Sequence, residues 1–174
     1  AAADLLPAFT RRPLFGKRLI LMSLVVAAVV SFMVWGHHMF LTGLNPTVAK
    51  LFTLTTVAVS LPFDVIVIAV IHSLVRSKLK LKAPALFAIG SVVLFIIGGI
   101  TGVFLASLAL DYHLRGTYWV VSHFHYVMVG GSVMALFGAL YYWFPKITGK
   151  MYHEGLAKVH FLVSFIGFNL LYFP

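Results

Sequence analysis

Residues 118–144 read YWVVSHFHYVMVGGSVMALFGALYYWF. A helix needs about 20 apolar residues to cross a bilayer, and this run supplies them. Inside it, His123 and His125 stand on either side of Phe124. On an α-helix, positions i and i+2 lie about 200° apart. The two imidazoles therefore face opposite sides of one helix. They cannot share an ion, but they can hold two separate partners, one on each flank.

The rest of the chain is of the same membrane grade. It has 174 residues, 61% of them hydrophobic and only 10% charged. Soluble domains carry about a quarter charged residues. Five apolar runs emerge, near 18–35, 48–75, 84–109, 118–144 and 157–174. The fold expected is an all-α integral membrane bundle of about five transmembrane helices, in a single region with no repeat and no low-complexity linker. Asp4, Asp64, Asp111 and Glu154 are the only acids, too few for a solvated surface. Cysteine is absent, which excludes disulfides, thiolate zinc sites and iron–sulfur clusters. The opening Ala1-Ala2-Ala3 and the stop at Pro174, inside a barely sufficient fifth run, read as the ends of a piece of a larger protein.

A net charge of +9 could suggest nucleic acid, but position argues otherwise. Arg11, Arg12, Lys17 and Arg18 precede the first run. Arg76, Lys78, Lys80 and Lys82 fill the second connection, and Lys146, Lys150 and Lys158 surround the end of the fourth. The intervening connections hold only Lys50 and Arg115. This alternation is the positive-inside pattern of a multi-pass membrane protein with its N-terminus on the cytoplasmic side, not a nucleic-acid surface.

His37 and His38 follow Trp35-Gly36 at the outer end of the first run. His123 and His125 lie roughly 12–15 Å in from Arg115 at the same rim. Neighbours on a regular helix diverge by about 100°. Where the helix breaks, as Gly36 and Thr42-Gly43-Leu44-Asn45-Pro46 suggest, both rings can converge on one ion. A neutral imidazole is a usual axial ligand of haem iron and accepts apolar surroundings. The plainer possibility is that each histidine only hydrogen-bonds a neighbouring helix.

Longer stretches carry a resemblance. Trp35-Gly36-His37-His38-Met39-Phe40 and Thr117-Tyr118-Trp119-Val120-Val121-Ser122-His123-Phe124-His125-Tyr126 resemble subunit I of the haem–copper oxygen reductases. So do Gly98-Gly99-Ile100-Thr101-Gly102-Val103 and Tyr141-Tyr142-Trp143-Phe144-Pro145-Lys146-Ile147-Thr148-Gly149-Lys150-Met151-Tyr152. The resemblance implies the C-terminal half of a twelve-helix subunit. It implies that His37 and His38 are ligands of copper and that His123 is the axial ligand of a high-spin haem. His125 would be an axial ligand of a low-spin haem, with Phe124 between the two haem edges and Asp111 near the propionates. The cofactors so implied are two haems and copper. The partners are O2, cytochrome c or quinol as electron donor, and other oxidase subunits or the remaining part of subunit I. The setting is an energy-conserving membrane, of the cell or the inner mitochondrion.

The sequence departs from the family in two places. Family members usually have His-Asp just before the position of Thr117, at a magnesium site; here Arg115 and Gly116 stand there. Magnesium takes oxygen ligands, so Arg115 is expected instead to neutralise propionates or an acid. A snorkelling arginine is the other reading. In the second run, proton-conducting members read Pro-Thr-Gly-x-Lys, whereas this chain reads Pro62-Phe63-Asp64-Val65-Ile66. Thr53, Thr56, Ser60 and Asp64 are spaced for one helix face. A modified proton path through Thr56, Ser60 and Asp64 is therefore expected, against hydroxyls that merely bond their own helix. Other readings of the chain are a nitric oxide reductase-like member of the superfamily, a proton-relaying transporter, or a scaffold fragment.

Overall fold

The computed structural model describes residues 2–75 and 77–173. Ala1 and Pro174, read above as cut ends, and Arg76, one of the basic-loop residues, lie outside them. Among the described residues, every regular element is a helix. It runs α1 (Ala2–Thr10), α2 (Lys17–Met33), a 3-10 turn (Trp35–Met39), α3 (Pro46–Val75), α4 (Ala83–Ala106) and α5 (Leu108–Leu114). Then come α6 (Tyr118–His125), a π-helical segment (Tyr126–Val133), α7 (Met134–Thr148) and α8 (Glu154–Tyr172). Among the described residues, five stretches are long and apolar enough to cross a membrane: Lys17–Met39, Pro46–Val75, Ala83–Ala106, Tyr118–Thr148 and Glu154–Tyr172.

The helix boundaries have local causes. Pro84 sits in the first turn of α4, where its missing N–H costs nothing. The Glu154 carboxylate accepts from Ala83 N at 2.8 Å and so caps the same helix from across the bundle. The run expected to reach residue 109 breaks instead at Ser107, whose φ of −80° and ψ of 117° are extended. The chain then re-enters as the short α5. At Gly116 and Gly149, φ of 79° and 70° favours glycine, because a Cβ would strain that backbone.

Two faces of α4 are occupied. One packs on α1, α3 and α7, where Leu5, Leu6, Val70, Ala88 and Ala139 form a buried cluster. The other packs on the π segment and α8, through Phe87, Leu94, Tyr126, Met134 and Phe168. Between helices in lipid, close backbone approach replaces the hydrophobic effect as the organising force, and small residues make it possible. Gly98 does this toward Tyr126 and Val127, and Gly130 does it in return toward Leu94. The short α1 is not a span. It lies against the ends of α4 and α7, and Phe9 O accepts from Lys80 N at 3.3 Å. This contact and the Glu154 cap bring the N-terminal arm, the 77–82 connection and the start of α8 to one end of the bundle. The 3-10 turn, α5 and the start of α6 meet at the other.

Candidate functional site

The 3-10 turn Trp35–Met39 changes the geometry of the adjacent histidines. His37 Nε2 and His38 Nε2 stand 3.0 Å apart, with ring centroids 4.2 Å apart. An ion about 2.0 Å from each nitrogen, the usual imidazole–metal distance, would see them at about 97°. The turn thus places two ligand-capable nitrogens within reach of one ion.

The first ring is held from behind. Thr56 Oγ1 donates its single hydrogen to Phe52 O at 2.5 Å, so it accepts from His37 Nδ1 at 3.1 Å. In a neutral imidazole, a proton fixed on Nδ1 leaves Nε2 with a lone pair, which is turned toward His38 and accepts from its Nε2. His123 repeats the arrangement. Its Nδ1 donates to Gly98 O at 2.9 Å, with Thr101 Oγ1 3.3 Å away. A Cβ on Gly102 would lie 2.6 Å from His123 Cε1, so a glycine there is what lets the ring lie against α4. His125 does the same within its own helix, donating from Nδ1 to Val121 O at 2.7 Å. Donation from Nδ1 to a carbonyl or hydroxyl is the support that metal-binding imidazoles use.

The two histidines of α6 face opposite ways, toward different helices. His123 packs on α4. His125 stacks on Tyr172 of α8, with centroids 4.0 Å apart and planes 15° from parallel. The stack covers a ring face and leaves the Nε2 edge clear of it. α6 is fixed on both flanks: Trp119 Nε1 donates to Thr101 O at 3.3 Å on one, and Tyr118 Oη donates to Leu171 O at 2.6 Å on the other. Ser122 Oγ donates to Tyr172 O, and Tyr126 Oη donates to Asn169 Oδ1 at 2.7 Å. Phe124 between the histidines is exposed, its ring 4.3 Å from that of His125.

At the rim, Asp111 is 2% exposed and accepts from Arg115 Nε at 2.7 Å. Arg115 does not snorkel away from the bundle. Its Nη1 and Nη2 donate to His38 O and His37 O, each at 2.8 Å.

The stripe of α3 divides. Thr56 joins His37. Thr53 donates to Ala49 O at 3.1 Å and Ser60 to Val57 O at 2.8 Å, each within its own helix. Asp64 is exposed, on a face it shares with Leu54, Leu61, Ile68 and Val75. Sequence reasoning missed the roles of Thr101, Gly102 and Tyr172. The i, i+4 spacing of Gly98 and Gly102 was the available signal that a neighbour comes close to that face of α4. Among the described residues, no group of three or more His, Cys, Asp or Glu side chains could hold a metal ion. The pair at 37 and 38 needs further donors from elsewhere.

The sequence profile of the family described as "Cytochrome C and Quinol oxidase polypeptide I" matches residues 1–174. The chain is 45% identical over its whole length to the haem-copper oxidase subunit I+III of Aeropyrum pernix, covering 21% of that protein. It is 47% identical over 95% of its length to the cytochrome c oxidase polypeptide 1 of Halobacterium salinarum, covering 28%. It is 41% identical over 99% of its length to a cytochrome c oxidase subunit 1 of Synechocystis, covering 31%. The chain therefore spans between about a fifth and a third of the length of these relatives.

Proposed function

The chain belongs to the cytochrome c and quinol oxidase polypeptide I family of multi-pass membrane proteins, and we propose that it carries the ligand-bearing part of an oxygen-reducing haem–copper site. In this reading His37 and His38 supply two nitrogens to copper. His123 would hold the iron of the high-spin haem and His125 that of the low-spin haem. One observation carries the assignment: three imidazoles are each held through Nδ1, which leaves each Nε2 to present a lone pair. This is the support that a metal-bound imidazole takes from its surroundings.

Haem and copper, when bound, supply the redox chemistry that takes dioxygen to water with four electrons and four protons. The chain's own contribution is placement. α6 holds two imidazoles on opposite flanks, so the two haem sites lie on either side of one rigid element. Thr56, Gly98 and Val121 fix the ring orientations. The site is not complete in this chain, and the remaining donors belong to the rest of subunit I. The N-terminal arm would lie on the cytoplasmic side with the basic end of the bundle, and cytochrome c or quinol would donate electrons.

The test is made in the full-length subunit within its purified complex. His37→Ala or His38→Ala should remove copper and oxygen reduction while both haem absorption signatures stay. His123→Ala should remove the high-spin signature and His125→Ala the low-spin one. Identical spectra for the last two variants, or full activity in His38→Ala, would overturn the assignment.

A further inference from the structure

We propose that Arg115 is a positioning residue for the His37–His38 pair, acting on the backbone carbonyls of both histidines. This rests on the reading of that pair as metal ligands.

The two rings are not equally held. His37 has Thr56 behind it. The His38 ring makes one hydrogen bond among the described residues, to His37. The direction of the His38 side chain is therefore set by its backbone, and that backbone lies in a five-residue 3-10 turn. Such turns have poorer hydrogen-bond geometry than an α-helix and drift more easily. They also end a helix, where carbonyls run out of following N–H partners and carry partial negative charge.

Arg115 answers each of these needs. Its Nη1 and Nη2 take the carbonyls of two successive residues, both at 2.8 Å, as the rigid fork of a guanidinium allows. Its Nε is spent on Asp111 at 2.7 Å, which stops the fork from rotating. The positive charge sits at the negative end of the first span. The arginine reaches this place because α5 ends on it: Arg115 N donates to Asp111 O at 2.8 Å, and Gly116, at φ 79°, turns the chain away into α6. One side chain thus ties the ligand turn to the connection that leads to His123. An ammonium could satisfy at most part of this set, since it has no planar fork and no second fixed direction.

Removing Arg115 alone would strand a buried carboxylate and confuse the result. The informative variant is Arg115→Met with Asp111→Asn, and Arg115→Lys stands beside it. All are made in the full-length subunit within its complex. The readouts are the copper-to-haem ratio, the rate at which a chelator strips copper, and the absorption of each haem. In the double variant, copper should be lost about 10–100-fold faster, the range seen when a supporting group behind a ligand is removed, with both haem spectra unchanged. Arg115→Lys should fall between it and the parent. Copper held as firmly as in the parent, in an assembled double variant, overturns the proposal. If the double variant does not assemble, Arg115→Lys decides: parent-like copper retention there overturns it as well. A parent complex that contains no copper would instead overturn the reading of the pair as ligands.

Discussion

Gly98→Ala should damage the site from outside it, and Gly99→Ala should not. A methyl at Gly98 would meet Val127 N at 2.9 Å, Val127 Cγ2 at 2.8 Å and Tyr126 Cβ at 3.0 Å, and one of these is backbone. Ordinary contact begins near 3.4 Å, so α4 and the π segment would have to part by about 0.5 Å. Gly98 O also accepts from His123 Nδ1 at 2.9 Å. The same displacement carries that bond to about 3.4 Å, where little of it remains. Overpacking costs about 1–3 kcal/mol and the lost bond about 0.5–1.5, against at most about 1 gained in helix propensity. The net expected is a loss of about 0.5–4.5 kcal/mol, with a disturbed His123 ring. A methyl at Gly99 meets nothing within 4 Å, so it should stay within about 1 kcal/mol of the parent. The assay is retention of assembled complex after a heat challenge, with the high-spin haem spectrum read on the same samples. If Gly98→Ala matches Gly99→Ala in both, the close approach does not hold His123 in place and the packing argument fails.

Thr56→Val deletes the acceptor of His37 Nδ1, so copper should be stripped by a chelator about 10–100-fold faster with both haem spectra intact. The structure parts Asp64 from Thr56 and Ser60, yet Asp64→Asn should still slow proton-coupled turnover at normal haem and copper content, because a carboxylate in an apolar span costs about 2.5–3.5 kcal/mol to keep without a function. Turnover unchanged across pH would leave it structural. Outside the spans, burial, then the nearby Glu154 charge and Tyr141, push the Tyr152 phenol up to about 12. The unfolded chain then gives up this proton first, so stability falls as pH rises from about 10 toward 12. Tyr152→Phe should flatten that fall, which heat challenge at stepped alkaline pH reads directly.

What the sequence disclosed about the site followed the range of each interaction. The opposite facing of His123 and His125 is a property of three residues on one helix, and it needed no partner to be read. The convergence of His37 and His38 required only a break of the helix around Gly36, which the loop residues announced. The polar stripe of α3 was legible as spacing but not as direction. From Thr56 to Asp64 the helix turns on by about 80°, enough to take the carboxylate from the His37 side to the outward face with Leu61 and Ile68. α1 was illegible because a nine-residue helix is not stable by itself; Leu5 and Leu6 form one where α4 and α7 bury them. Arg115 divides along the same line. Its pairing with Asp111 is an i, i+4 contact that any helical reading reaches. Its other two bonds span 77 and 78 residues and end on backbone carbonyls. Every residue has a carbonyl, so no residue type marks one as an acceptor, and the part of the arginine's role that concerns the ligand turn is written only in three dimensions.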